Sequence, residues 1–145
     1  MQISDDRTSV MNDWNAQIIA EFRATGGKAA QFGDAPLVIL HTIGAKTGEV
    51  REIPLVALVE GDDMYIFASK GGAPTNPDWY HNLKANPEIT VEYGTETFTA
   101  TLTELPEAEG QAKLRAQGEL MPQFLDYITS AAPRVIPAFK ITRNA

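Results

Sequence analysis

The sequence alternates short β-rich segments with glycine-containing turns, and this pattern constrains the fold more than any other feature. β-Rich segments at residues 37–42, 51–59 and 64–69 are separated by turn-forming stretches at residues 44–48 and 60–63. Connections this short join antiparallel strands, because a parallel pair needs a crossover of about a dozen residues or more. This part of the chain therefore predicts an antiparallel meander.

Further strands and several helices complete the predicted architecture. Strands are expected at residues 89–93 and 97–105, around a turn at Gly94, and at residues 135–141. About five or six short strands with helices at the periphery indicate an α+β protein, mainly antiparallel β, built as a small β-barrel. Residues 14–145 are expected to form its single domain, and residues 1–13 a flexible N-terminal segment.

Three of the four predicted helices follow from apolar spacing and from proline and glycine signals, and the fourth is described below with the glycine-rich loop. Ile18, Ile19 and Phe22 give residues 15–24 an amphipathic pattern. Pro106 begins a second helix, which Gly118 is expected to end. A third helix begins at Pro122 and closes before Pro133, and its apolar face carries Met121, Phe124, Leu125 and Ile128.

Composition excludes several classes of function. The net charge of −7 argues against binding to nucleic acid or to an anionic membrane, since no basic stripe is present. Without cysteine, disulfides, thiol nucleophiles and Cys-ligated metals are excluded. The two histidines, His41 and His81, fall in different elements, which makes a zinc or iron site improbable. A cytoplasmic protein without a metal is expected.

Residues 64–83 join a strand to a helix through a Gly-Gly loop. Asn76 is predicted to cap this helix, Pro77 suits its first position, and Asn86-Pro87 ends it. The free N–H groups and the positive dipole end of the helix then point at the loop, and Lys70 adds a full charge. The segment therefore predicts an anion site, and the alternative is a solvent-exposed turn before an ordinary helix.

Basic residues in adjoining turns give a second indication of an anion site. Lys46, Arg51 and Lys70 would form one pocket for phosphate or carboxylates if the barrel brings their turns together. The alternative is that each is a solvated surface charge. Trp79 is expected in the core, although a ring beside a glycine loop can also wall a planar heterocycle. The residues alone thus predict a small barrel that binds an anionic, planar ligand, and they name no reaction.

Four separated motifs occur in order along the chain. Residues 22–28 read FRATGGK, residues 44–55 read GAKTGEVREIPL, residues 68–87 read ASKGGAPTNPDWYHNLKANP, and residues 134–137 read RVIP. Together they resemble the deazaflavin-dependent nitroreductase family, also described as quinone reductases dependent on coenzyme F420. The resemblance extends from about residue 14 to residue 141. It implies a split β-barrel related to flavin-binding barrels and a reduced deazaflavin as the hydride donor.

The resemblance also implies roles for individual residues. Lys46, Arg51 and Lys70 would hold the phosphate and the acidic tail of the coenzyme. Ser69 and Tyr127 would take catalytic roles, and Trp79 would pack alongside the ring system. The other residues implied in coenzyme binding are Thr47, Pro54, Ser69, Gly71, Gly72 and Pro77.

One departure from the family pattern concerns the substrate side. The best-known nitroreductase branch places four tyrosines there, whereas the matching positions here are Val56, Met121, Phe124 and Tyr127. Losing phenols should weaken contacts to nitro groups by about 1 kcal/mol each. We therefore expect a hydrophobic acceptor, with Tyr127 as the remaining proton donor or positioning group. Quinones, nitroaromatics and activated alkenes are the acceptor classes that the resemblance allows.

Other functions remain open at the level of sequence. FMN in a split barrel would suit the same three cations, and a yellow protein would indicate it. A non-catalytic protein that stores the coenzyme or carries an apolar ligand is the alternative from another class. Related barrels occur as monomers and as homodimers, and peripheral contact with a membrane is compatible with the N-terminal helix. The partner expected in each enzymatic case is a small-molecule hydride acceptor.

Overall fold

A computed structural model describes residues 3–144, with the side chains of residues 13–144. Seven strands form one antiparallel sheet. The predicted α+β class with mainly antiparallel strands is thus confirmed. In chain order the strands are β1 (Leu37–Ile43), β2 (Val50–Val56), β3 (Leu58–Glu60), β4 (Asp63–Phe67), β5 (Glu88–Tyr93), β6 (Glu96–Glu104) and β7 (Ala138–Arg143).

The sheet is curled by the connection between its two edge strands. Strand order is β2-β1-β5-β6-β7-β4-β3, so β2 and β3 lie at opposite edges. These two edge strands are nevertheless separated in the chain only by Ala57, whose N–H donates to the Pro36 carbonyl at 2.9 Å. A connection of one residue requires the two edges to meet at this point. The sheet is therefore curled into a barrel, although β2 and β3 are not paired with each other.

In the described part of the chain four α-helices surround this barrel, and two short 3-10 helices lie at Ala30–Phe32 and Lys70–Gly72. The α-helices are α1 (Ile3–Thr25), α2 (Asp78–Ala85), α3 (Glu107–Leu120) and α4 (Gln123–Ala131). Helix α1 begins earlier than the predicted residue 15, and the side chains of residues 1–12 lie outside the described part. The flexibility expected for residues 1–13 stays a prediction. Among the described residues, no helix combines the length and the apolar character that crossing a bilayer requires.

Side chains of the strands alternate between the barrel interior and the helices outside. Met64 and Ile66 of β4 point into the barrel, whereas Tyr65 and Phe67 pack beneath α3 and α4. In β1, Val38 and Leu40 point inward and Leu37 and Ile39 pack with α1. Strand β1 is thus buried on both faces, as its continuous apolar run predicts. The α1 side of this packing consists of Ile18, Ile19 and Phe22.

Several boundaries differ from the sequence predictions. The predicted strand 51–59 is divided at Ala57, which raises the strand count to seven. Asn76 does not cap α2: Pro77 is the N-cap residue, and Asn76 Oδ1 instead accepts a hydrogen bond from Arg134. Gly118 does not end α3, because it is a buried position within the helix. A Cβ there would approach Leu125 of α4, so this glycine permits close helix packing.

The end of α1 is tied to the sheet by an ionic cluster. Arg23 donates to Glu92 Oε2 of β5 at 2.6 Å and to Glu52 Oε2 of β2 at 2.8 Å. His41 Nε2 lies 2.6 Å from the same Glu92 oxygen. The hydrogen bond from Arg23, followed by the bond with His41, holds the pKa of Glu92 below its usual value. This cluster therefore stabilises the fold most when Glu92 is ionised.

We expect Glu92→Gln to lower the free energy of unfolding near neutral pH, because it removes the carboxylate that pairs with Arg23. The expected loss is only about 1 kcal/mol, since the partial exposure of Arg23 lets solvent screen the pair. A lowered pKa in the folded protein gives stability that is present above the ordinary pKa and is lost as the pH falls through the lowered one. The difference between variant and wild type should therefore shrink below the usual pKa of 4.5. Thermal unfolding across an acidic pH series measures this.

Glu96→Gln is the matched control, because Glu96 pairs with Arg143 at a more exposed position. It should change the unfolding temperature less than Glu92→Gln does. Equal effects of the two substitutions at neutral pH would contradict a special role for the Arg23 cluster.

Candidate functional site

The turn between β1 and β2 has a shape that depends on glycine and threonine. Gly44 N–H donates to the Glu49 carbonyl at 2.8 Å, and Thr47 Oγ1 accepts from Glu49 N–H at 3.2 Å. A Cβ on Gly44 would lie 2.6 Å from Thr47 Oγ1, so a larger residue there would force the Thr47 side chain to shift. The turn is thereby folded back on itself and presents Lys46 at its tip.

Helix α2 holds this turn from the other side. Asn82 Oδ1 accepts a hydrogen bond from Ala45 N–H at 3.0 Å, and Asn86 Nδ2 donates to the Ile43 carbonyl at 3.3 Å. Between the turn and the helix lies a groove of about 610 Å³. We call it the turn groove, and it is lined by Gly44, Ala45, Lys46, Thr47, Arg51, Asp78, His81 and Asn82.

The turn groove carries two cations that are largely open to solvent. Lys46 is exposed, and the side chain of Arg51 is 57% exposed, with Glu49 3.9 Å from its guanidinium. One carboxylate, Asp78, faces the same space. Cations with such weak internal pairing are available to an anionic ligand. The structure thus brings together Lys46, Thr47 and Arg51 of the predicted anion site.

Lys70 lies elsewhere, on the glycine-rich loop. It has a φ of +49°, followed by +61° at Gly71 and +83° at Gly72. Its ammonium donates to Thr75 Oγ1 at 3.1 Å, and Lys70 is not among the residues that line the turn groove. The structure therefore does not join all three predicted cations in one groove. Gly72 is required where it is, because a Cβ there would lie 2.7 Å from Ser130 Cβ of α4.

Arg134 fixes the conformation of this loop. It lies between α4 and β7 in the chain, and its guanidinium donates to carbonyl oxygens of Ala68, Ser69 and Ala73 and to Asn76 Oδ1, at 2.7–3.1 Å. These bonds use all of the donors that a guanidinium offers. Burial lowers the pKa of Arg134 from its ordinary value. Arg134 is therefore committed to the loop and is not free to bind a ligand.

The loop and α4 meet at the predicted substrate residues. The space beside Gly72 is bounded by the Cα and carbonyl of Tyr127, and the ring of Tyr127 lies 5.2 Å from that of Phe124. Phe124 in turn contacts Phe67 edge-on at 6.2 Å. Met121 packs in the same apolar cluster. Val56 does not join them, because it packs with the cluster beneath α1.

The remaining predicted residues lie in structural positions. Trp79 is 8% exposed and its ring lies 6.1 Å from Phe139, as core packing predicts. Pro54 lies on the edge strand β2, where a missing N–H is tolerated. Pro77 is the buried N-cap residue of α2. Ser69 is buried at the start of the loop, and its carbonyl accepts from both Arg134 and Gly72.

Three residues of α2 were not predicted to line the groove. Asp78, His81 and Asn82 are separated by three and four positions, which places them on one face of a helix. That spacing is visible in the sequence, but only the fold shows that the face meets the β1–β2 turn. His81 is exposed at the groove.

One group of potential metal ligands occurs in the described part of the chain. Ligand atoms of His41, Glu52 and Glu92 lie within 4.8 Å of one another. The guanidinium of Arg23 already bonds both carboxylates there. An arginine thus supplies the positive charge of this cluster, which is part of the α1 attachment and lies outside the turn groove.

Comparison with known proteins places this geometry in a family. The family model for F420H(2)-dependent quinone reductase matches residues 14–141. The chain belongs to this family. An F420H(2)-dependent quinone reductase of Mycobacterium tuberculosis is 44% identical over 84 residues, which cover 57% of this chain and 56% of that protein. The match therefore spans little more than half the length of this relative.

Two solved structures share the fold over more of their length. An F420-H2 dependent reductase has a TM-score of 0.65 at 36% identity, covering 73% of this chain and 93% of that one. A domain-swapped dimer has a TM-score of 0.68 at 33% identity, covering 89% of this chain and 97% of that one. The predicted split-barrel fold with peripheral helices is confirmed by these neighbours and by the curled sheet.

We expect Arg134→Lys to lower the free energy of unfolding by about 2–4 kcal/mol. Lysine has three donors and no planar fork, so loop carbonyls that Arg134 now satisfies would lose their partners. Equilibrium unfolding in urea, extrapolated to water and repeated at two protein concentrations, measures the change in the free energy of unfolding.

Arg115→Lys on the exposed surface of α3 is the matched control and should stay within about 0.5 kcal/mol of wild type. A loss at Arg134 no larger than that of the control would show that the loop holds its conformation without the guanidinium.

Proposed function

We propose that the protein transfers a hydride from the reduced deazaflavin coenzyme F420 to a quinone. Family membership supports this proposal, and the single observation that carries it is the turn groove, where Lys46 and Arg51 face a ligand-sized space. The glycine-rich loop meets α4 at Tyr127, whose ring packs against Phe124, and these residues form the second part of the proposed site.

The donor groups of the turn groove fit the acidic portion of such a coenzyme. Lys46 and Arg51 would hold phosphate and carboxylate groups, since both side chains are exposed and weakly paired. The Thr47 hydroxyl adds a polar group at the same wall. Asp78 would set a limit on how closely a second anion approaches that end of the groove, because like charges repel.

The glycine-rich loop is the proposed contact for the rest of the coenzyme. When bound, the reduced deazaflavin supplies two electrons and a hydrogen as hydride. Ser69, Gly71 and Gly72 would line its position, because the positive φ values of the loop allow close approach of the backbone. Lys70 would add charge at the loop edge after release from Thr75. Pro77 and Trp79 would contribute indirectly, because they hold α2 and the adjoining loop in position.

The proposed acceptor pocket is formed by Met121, Phe124 and Tyr127. These side chains are largely apolar, and of the three only Tyr127 carries a hydroxyl group. Such a surface suits a quinone ring better than a nitro group, which needs several hydrogen-bond donors. Tyr127 would supply or position the proton that accompanies hydride transfer, and Ser69 would assist from the loop. Nitroaromatics and activated alkenes are secondary acceptors in this proposal.

The oligomeric state of the protein is also part of the proposal. The domain-swapped dimer among the structural neighbours supports a homodimer as the proposed state of this chain. The predicted cytoplasmic location and the predicted membrane-peripheral contact stay predictions. FMN remains the alternative cofactor, and a coenzyme-binding protein without turnover remains the alternative function.

Fluorescence titration with F420 and with FMN tests the cofactor assignment. We expect selective binding of F420. Lys46→Ala and Arg51→Ala should each weaken it by about 1.5–3 kcal/mol, roughly 10- to 150-fold in Kd, because each removes a charge-assisted hydrogen bond.

Arg115→Ala is the matched control, because it removes the same charge from an exposed position on α3. Its Kd for F420 should stay within about twofold of the wild-type value when both proteins are measured at the same ionic strength. Unchanged affinity in both groove variants would refute the turn groove as the coenzyme site. Tight F420 binding without oxidation of the coenzyme by any quinone would identify a binding protein instead.

Tyr127→Phe should lower kcat on the best quinone by about tenfold to a hundredfold while leaving the Kd for F420 unchanged, because only the phenol hydroxyl is removed. Single-turnover oxidation of the reduced coenzyme, followed by absorbance, measures the rate. Tyr80→Phe is the control, because the Tyr80 hydroxyl donates to Glu104 at 3.2 Å and takes no part in the proposed acceptor pocket. Equal rates for wild type and Tyr127→Phe would remove the proton-transfer role.

A further inference from the structure

A glutamine is buried in α3 with half of its amide unused. Gln117 is 1% exposed, and its Nε2 donates to the sulfur of Met121 at 3.4 Å. Its Oε1 is buried and has no hydrogen-bond partner among the described residues. Because a thioether can accept a hydrogen bond but cannot donate one, the amide nitrogen must be the atom that faces the sulfur.

This arrangement is costly for stability. A buried carbonyl without a partner loses its hydration and gains nothing in return, and leucine or methionine would fill the same space without that loss. Such groups are few in folded proteins, and a retained one calls for an explanation in function or in a bound molecule. Gln117 therefore differs from Gln111 on the same helix, whose Nε2 donates to the Ile136 carbonyl at 3.2 Å.

The position of Gln117 links it to the proposed acceptor pocket. Met121, which covers its amide, is half-buried and follows the last residue of α3 in an extended conformation. Met121 packs in the apolar cluster that contains Phe124 and Tyr127. A methionine side chain is unbranched and changes conformation readily. One flexible thioether thus separates the amide of Gln117 from the pocket.

We propose that Gln117 is the residue that binds an oxygen of the quinone acceptor, after Met121 moves aside. This inference rests on the proposed function. A carbonyl oxygen is a stronger hydrogen-bond acceptor than a thioether, so Nε2 gains by exchanging sulfur for the quinone oxygen. After hydride transfer and protonation the same oxygen is that of a hydroxyl group, which accepts from Nε2 and donates to Oε1, an atom with no other partner among the described residues. The amide thus matches both states and favours the reduced one.

Binding of menadione to the wild-type protein tests the contact without any variant. We expect the side-chain amide resonances of Gln117, observed by ¹H–¹⁵N NMR and assigned by their loss in a Gln117 variant, to shift on titration with menadione in the absence of coenzyme. Menadiol should shift them further, because it adds the bond to Oε1. Resonances that stay in place while menadione binds elsewhere on the protein would overturn the proposal.

Gln117→Met provides the second measurement, with Gln117→Leu as the substitute should that variant not fold. We expect about tenfold lower kcat/KM with menadione, carried mainly by KM, an unchanged Kd for F420 and an unfolding temperature equal to or above that of wild type. A purely structural glutamine would give the opposite pattern, with a lower unfolding temperature and unchanged kcat/KM, and this result would overturn the proposal.

Gln111→Met is the matched control, because it removes a satisfied amide from the same helix. It should lower the unfolding temperature and leave KM for menadione within about twofold of wild type. Failure of the proposed function is recognised separately, since a protein that binds F420 but does not reduce menadione would still report on Gln117 through the NMR titration.

Discussion

The architecture depends on one covalent constraint, the single residue that joins the two edges of the sheet. Because only Ala57 separates β2 from β3, the strands at opposite ends of the hydrogen-bonded order must come together. An open sheet would leave both edges to solvent and the inner apolar cluster uncovered. Closure instead buries that cluster, and it fixes the β1–β2 turn at the rim of the barrel, where α2 can hold it. The position of the turn groove is a consequence of this closure.

Arg134 is a second constraint on the structure, and it fixes the conformation of the glycine-rich loop rather than that of the barrel. The loop from Ala68 to Asn76 contains successive residues with positive φ, and it lies outside the strands and α-helices that pair most carbonyls of the fold. The half-buried guanidinium of Arg134, about sixty residues away in sequence, donates to several of these carbonyls at once. The loop can therefore keep a conformation that its local sequence would not maintain alone, and Gly72 can rest against α4.

Sequence reasoning succeeded where the signals are local. Turn residues and alternating apolar residues predicted the strands, and Lys46 and Arg51 were placed together because one hairpin carries both. It failed where distant groups compete. Asn76 has the side chain of a helix cap, but Arg134 binds its Oδ1. Gly118 has the form of a helix stop, but the fold uses it for contact with Leu125. The separation of Lys70 from the turn groove, and of Val56 from α4, likewise depends on how the barrel closes.

The basic residues around the site divide into two kinds, and exposure distinguishes them. Arg134 is half-buried, all of its donors are engaged by protein atoms, and its charge is therefore part of the fold. Lys46 and Arg51 are exposed and have little internal pairing, so a ligand that binds them does not have to break strong bonds first. An anion would gain its attraction there at a low cost in desolvation. Arg134 holds the loop in shape, whereas Lys46 and Arg51 stay available to a ligand, so the proposed site depends on both kinds of basic residue.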